Sequence, residues 1–283
     1  MSNFEYVVMT PPFMRGSAGI RFLNELTDDI RATGRKAHRI YSVTMPEGLV
    51  ASFTGEAWFR VTPDWIKETV GNPEKLIVIH GENQDCKYFM GLNVARYYLN
   101  RIGALRKVGI PRDGEFKIAW VPEFCDNPDF LLRTSTLRYP LHAAEHISLD
   151  NRQIDLTYVG KAAIKTPGIG RLPATLELKR DWPNNDDEYF YLLKNTRRLY
   201  TYDTVTSVVD DAITLGALPV SMTERITHPA VQGCVAHIED DIDEVMKGYA
   251  AARWRYLETE ARVKDAYKAD LERCCVAMEK FFG

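Results

Sequence analysis

Two aspartates separated by seven residues, Asp203 and Asp211, mark the stretch of this 283-residue chain whose side chains are best spaced for chemistry. The run from Leu199 to Val220 reads LYTYDTVTSVVDDAITLGALPV. A strand expected over Leu199 to Tyr202 puts Asp203 at its carboxyl edge, where open α/β sheets bind their ligands. The helix expected over Val205 to Leu215 follows at once. Its first unpaired N–H groups and the positive end of its dipole suit a diphosphate. Thr206 and Ser207 add hydroxyl donors at that end. Asp211, about two turns on, offers a carboxylate that can accept from both hydroxyls of a ribose. Gly216 ends the helix, and Pro219-Val220 enters the next strand.

These residues need a scaffold of alternating strands and helices, the pattern of a parallel sheet flanked by helices. Strands are expected at Glu5–Thr10, Ala37–Val43, Lys75–His80, Phe116–Val121, Asp155–Val159, Thr175–Leu178, Leu199–Tyr202 and Ala217–Met222. Ile20–Thr33 reads as a helix with Ile20, Leu23, Leu26 and Ile30 on one face. Helices are also expected at Tyr88–Ile102 and Asp187–Asn195. KLIVIH (75–80) is a continuous apolar run, as for a strand buried on both faces. The series groups into an α/β unit over 1–145 and a second, compact one over 146–237. The last stretch, 238–283, reads as a helical hairpin packed on the core, its apolar spacing not being a clean heptad.

The Asp203–Asp211 pattern, with Asp211-Ala212, Gly216 and Pro219-Val220, resembles the nucleotide-sugar site of retaining GT-B glycosyltransferases, where two acids separated by seven residues flank a helix start. This chain departs from that family in having aspartate at both acidic positions. Other stretches are similar to the same family in the same order. Met9-Thr10-Pro11-Pro12 with Gly16, Ser17, Ala18 and Gly19 resembles the glycine-bearing loop near the donor phosphates. Ile79-His80-Gly81-Glu82 and Asn93 to Tyr97, with Arg96, resemble counterparts in the N-terminal domain. Tyr158-Val159-Gly160-Lys161 resembles the step that opens the nucleotide domain, and Glu177 to Pro183, leading to Tyr202-Asp203, its middle in a bacterial polysaccharide subgroup. The resemblance implies two facing Rossmann-like domains and retaining transfer without a bound metal. The leaving diphosphate would be neutralised by backbone amides and basic side chains. Lys161 is the first cation for that role and Lys165 the second. His80, Glu82 and Asp203 are the catalytic candidates. Gly16, Ser17, Gly19, Gly160, Tyr202, Thr206, Ser207 and Asp211 are expected on the donor.

For the acceptor, Arg96, Arg101, Arg106, Lys107, Arg112 and Lys117 cluster along the expected helix and the loop after it. They make either an ordinary solvated surface or a track for a phosphate-bearing acceptor. A glycan and a hydroxymethylated DNA base compete as acceptors, the second because compact members resemble bacteriophage DNA-modifying enzymes. Such an enzyme would reach or flip its base, with Trp58, Phe59 and Trp65 available for stacking. A catalytically inactive nucleotide- or sugar-binding protein of the same fold is the alternative. A dehydrogenase is disfavoured, since no GxGxxG follows the first strand.

Composition narrows the classes further. The formal charge of −3 gives no global pull toward nucleic acid or anionic membrane. Hydrophobic residues at 45% and charged residues at 27% are ordinary for a globular chain. Five cysteines without CxxC spacing fit a reducing cytoplasm, the host's if the protein is phage-encoded. The pair His142 and His146 lacks the HExxH order, and Glu239 to Glu244 lacks the glycine of a calcium loop. No metal and no cofactor is expected beyond the nucleotide sugar, which is a substrate. No apolar run is long enough to span a membrane.

Overall fold

The computed structural model describes residues 4–14, 17–45, 48–52, 59–60, 62, 64, 68, 72–84, 86–102, 111–138, 149–165, 169–179, 182–203, 206–226 and 231–283. The chain divides into two compact units. One joins Met1–Thr134 to Asp265–Gly283, and the other is Ser135–Lys264. The boundaries expected from the sequence, at 145 and 237, stand against these divisions at 134 and 264.

The first unit holds β1 (Glu5–Thr10), α1 (Ala18–Ala32), β2 (Lys36–Met45), β3 (Gly48–Ser52), β4 (Phe59–Arg60), β5 (Leu76–Gly81), β6 (Asn93–Tyr98), β7 (Phe116–Ala119) and β8 (Phe130–Leu131). They form one sheet in the order β4-β3-β2-β1-β5-β6-β7-β8. From β2 to β8 neighbouring strands are parallel, and β3 and β4 add antiparallel to β2. Both faces are covered, so β1 and β5 are buried throughout their apolar runs. Tyr6, Val8, Ile77 and Ile79 pack with Leu23, Leu26 and Ile30 of α1. Val7, Met9, Leu76 and Val78 face the opposite core. Each such aliphatic side chain contributes roughly 2 kcal/mol when fully buried.

The segment expected as a helix from Tyr88 to Ile102 is instead β6, preceded by a short 3-10 turn at Cys86–Phe89. Asn93-Val-Ala-Arg-Tyr-Tyr pairs parallel with β5 and β7. Val94, Ala95, Arg96, Tyr97 and Tyr98 are all buried, an environment that favours aromatic and β-branched residues in extended form.

The second unit holds β9 (Ile154–Tyr158), α2 (Ala162–Lys165), β10 (Leu176–Leu178), α3 (Asp186–Lys194), β11 (Thr196–Thr201), α4 (Ser207–Leu215), β12 (Leu218–Ser221) and β13 (Ala236–His237). The strands are all parallel, in the order β10-β9-β11-β12-β13. Numbered within the unit this is 2-1-3-4-5, a doubly wound arrangement. Along β2-β1-β5-β6-β7 the first unit's parallel strands repeat it. Leu156, Tyr158, Leu199, Leu192, Leu193, Val208 and Ala212 form the core on one side of the second sheet.

The expected helical hairpin is a single 41-residue helix, α5 (Ile242–Phe282). At about 1.5 Å per residue it runs about 60 Å. Tyr249, Ala252, Tyr256 and Leu257 join a core of the second unit. Leu271, Cys274, Cys275 and Met278 join a core of the first. The two halves serve different cores, and because a straight helix at about 3.6 residues per turn drifts against a seven-residue repeat, no single heptad runs through it.

Candidate functional site

In the second sheet the chain leaves β9 for β10 and returns to the other side of β9 as β11. The connections after β9 and β11 thus part in opposite directions, leaving a crevice at the carboxyl ends of these strands. Val159, Gly160 and Lys161 follow β9, and Tyr202 and Asp203 follow β11. The Tyr202 N–H donates to the Tyr158 carbonyl at 3.0 Å, carrying the β9–β11 pairing past the strand ends. The Thr201 hydroxyl donates to the Asp203 carbonyl at 2.9 Å and accepts from the Asp203 N–H at 3.1 Å. So held, the Asp203 carboxylate reaches the neighbouring loop. Its Oδ2 accepts from the Lys161 N–H at 3.1 Å, and its Oδ1 lies 3.6 Å from Lys161 Nζ. Both side chains are largely out of water, 6% of Asp203 and 16% of Lys161 remaining exposed.

Gly160 makes this approach possible. Its φ is +55°, a left-handed conformation that side chains resist. A Cβ at this position would lie 2.6 Å from Tyr158 Cε1 and 2.7 Å from Asp203 Oδ2. Gly160, Lys161, Tyr202 and Asp203, expected from sequence, are thereby brought together. Lys165 closes α2, and its side chain lies outside the described residues.

Thr206 caps α4, its hydroxyl oxygen accepting from the Val208 N–H at 3.4 Å, and Ser207 begins the helix. At the other end Gly216 takes φ +83°, and its N–H donates to the Ile213 carbonyl. Arg253 donates to the carbonyls of Ile213 and Thr214, and Arg152 to that of Leu215. Cations at those carbonyls complement the helix dipole.

Asp211 joins a different set of side chains. Its Oδ2 accepts from the Tyr189 hydroxyl at 2.9 Å and from Arg138 Nη1 at 3.2 Å, and the residue is 2% exposed. Arg138 also reaches Asp186 Oδ1 at 3.1 Å and lies 5.6 Å from the Tyr189 ring centroid. The carboxylate expected at a ribose is thus engaged by its own chain. Its neighbour Asp210 accepts from the Tyr256 hydroxyl at 2.9 Å, which also meets the Thr136 hydroxyl at 2.7 Å. Arg138 and Tyr189 carry no local signal in the sequence, being 73 and 22 positions from Asp211.

In the first unit the corresponding carboxyl ends belong to β1 and β5. Asn24 of α1 donates to Thr10 Oγ1 at 3.0 Å and to the Pro11 carbonyl at 3.2 Å. Gly16 lies outside the described residues. Ser17 precedes α1, and Gly19 sits in its first turn, where a Cβ would meet Leu99 Cβ at 3.4 Å. His80 is fully buried within β5, its Nδ1 2.8 Å from the Gly81 carbonyl and its ring stacked on Phe89. Glu82 is 6% exposed; its carboxylate accepts from Asn83 Nδ2 and from the Leu99 N–H.

Arg96 is not part of a solvent-facing helix. It is fully buried on β6 and ion-paired with Glu115, Nε–Oε2 2.9 Å and Nη2–Oε1 3.2 Å. It also donates to the carbonyls of Glu82 and Gln84. Burial at this depth requires a guanidinium to be paired and hydrogen-bonded, so Arg96 ties the loop after β5 to the sheet. Of the other basic residues in that cluster, Arg101 and Arg112 are exposed and Lys117 is half-buried. Arg106 and Lys107 lie outside the described residues, as do Trp58, Trp65 and the Phe59 side chain.

Among the described residues no three His, Cys, Asp or Glu side chains cluster as metal ligands, and no helix is long and apolar enough to cross a membrane. His142 and His146 lie outside the described residues.

Fold and site together define a chain of two Rossmann-like α/β units with a closing helix. No family model and no curated protein sequence matches it. Among solved structures it is similar to an alpha-glucosyltransferase in complex with UDP and a 13-mer DNA containing an HMU base. Identity there is 10% and the TM-score 0.45, over 100% of this chain and 95% of the other. A spinosyn rhamnosyltransferase, SpnG, complexed with thymidine diphosphate, matches at 9% identity and TM-score 0.38, over 94% and 96% of the two chains. TarM matches at 8% identity and TM-score 0.38, over 84% of this chain and 63% of its own.

Proposed function

We propose that the chain is a nucleotide-sugar-dependent glycosyltransferase of the GT-B type, with its donor at the β9–β11 crevice. One observation carries the reading. At the point where strand order reverses, a left-handed Gly160 lets a backbone amide and an ammonium of Lys161 converge beside the Asp203 carboxylate. Amides and a cation at such a point suit a diphosphate, and a carboxylate beside them suits sugar hydroxyls or the orientation of the cation. The sequence motifs that resemble the family fall in the same order along the chain. In this reading Lys161 neutralises the leaving diphosphate, and Thr206 and Ser207 at the start of α4 supply further donors to it.

A glycan and a hydroxymethylated DNA base remain the two acceptor classes. The test is release of nucleoside diphosphate from a panel of nucleotide sugars, with each acceptor supplied in turn. Transfer to one acceptor supports the enzyme and names its class. Nucleotide binding without hydrolysis or transfer favours the inactive binding protein.

A further inference from the structure

We propose that Asp203 is an internal anion that holds Lys161 until a donor diphosphate takes its place, and so limits how tightly the free site binds a diphosphate. This rests on the nucleotide reading above. The 3.6 Å between Lys161 Nζ and Asp203 Oδ1 is attractive but longer than a charge-assisted hydrogen bond. A phosphate oxygen at the usual shorter distance makes the stronger bond. The Lys161 N–H, given to Asp203 Oδ2 at 3.1 Å, is a second donor for which the phosphate competes. Carboxylate and diphosphate carry like charge, and both would sit where little water screens them. Binding therefore replaces one anion by another, and the displaced carboxylate opposes it.

Free UDP, thymidine diphosphate, UMP and UDP-glucose are titrated by calorimetry into wild type, Asp203→Asn, Asp203→Ser, Lys161→Met and the Asp203→Asn/Lys161→Met double variant, at fixed ionic strength. Asparagine keeps an oxygen for the Lys161 amide and removes the charge. Serine is the second route should asparagine not fold. The expected result is diphosphate binding about tenfold tighter in the Asp203 variants, the size of removing one nearby like charge from a partly solvated site. The gain is smaller for UMP and disappears in the double variant. Diphosphate binding equal to or weaker than wild type, in a variant with a cooperative melt, overturns the proposal. So does weaker UDP-glucose binding with UDP unchanged, which assigns the carboxylate to the sugar and leaves the nucleotide reading standing. No nucleotide binding by wild type overturns that reading, and this inference with it.

Discussion

The Lys161 N–H and Asp203 Oδ2, 3.1 Å apart, join two loops that lie 42 positions apart in the chain. The contact follows from topology, because β9 and β11 become neighbours only when the chain doubles back past β10. It also follows from one residue without a side chain, since Gly160 leaves open the space that the carboxylate fills.

Gly160→Ala therefore tests the geometry. The added methyl meets Tyr158 and Asp203 well inside contact distance in a left-handed backbone. The expected cost is about 1–3 kcal/mol of stability, read as a lower urea midpoint. Any nucleotide-induced stabilisation falls with it, because the backbone shift that relieves the clash displaces the Lys161 N–H and ammonium from the place a diphosphate would take. An alanine variant as stable as wild type contradicts the close approach.

Arg96 should behave as a structural residue. Arg96→Met leaves Glu115 buried without its bidentate partner, at a cost of about 3–5 kcal/mol. Arg96→Met with Glu115→Leu should recover most of that in urea unfolding. Acceptor affinity per folded molecule should not change in the double variant. A selective loss of acceptor binding would return Arg96 to the role the sequence suggested.

Tyr189→Phe removes a hydrogen bond to a buried carboxylate and should cost about 2 kcal/mol. Arg138→Met should cost more, because Asp211 then loses its cation while 2% exposed. A double-mutant cycle should give a coupling of about 0.5–3 kcal/mol. Purely additive losses would mean that the three side chains do not act as one cluster.

Acid sensitivity should trace in part to Asp155. Burial pushes its carboxyl up, but hydrogen bonds from Arg197 and Arg198 outweigh this and hold it below the ordinary carboxylate range. A lowered folded-state value gives stability that is present above the unfolded value of about 4 and lost as pH falls through the folded one. Urea midpoints for wild type and Asp155→Asn should thus differ near neutrality and converge in acid. A gap that persists in acid would argue against the ion pairs.

Much of the scaffold is legible in the sequence because its signals are local. The apolar run of β5, the amphipathic α1 and the strand–helix–strand passage of 196–221 each carry their own period. β6 is misread because six residues of mixed size between two parallel strands have neither alternation nor helical spacing. Only pairing on both sides makes Asn93–Tyr98 extended. The C-terminal helix is misread as two because its apolar positions drift out of any one seven-residue repeat and the core they join changes partway along it. At the site, Gly160, Lys161 and Asp203 are visible as loop residues after strands. The partners of Asp211 are not, since Arg138 and Tyr189 reach it only through tertiary packing.

The measurement that tests the central claim most directly is a thermal melt of wild type and Lys161→Met with UDP, thymidine diphosphate, GDP and ADP. A ligand at about 100 times its dissociation constant stabilises the protein by about 2.7 kcal/mol. The account predicts that at least one of the four raises the wild-type melting temperature and that Lys161→Met abolishes the shift. No shift with any nucleotide, or a shift that survives the loss of Lys161, would contradict a donor site at the β9–β11 crevice.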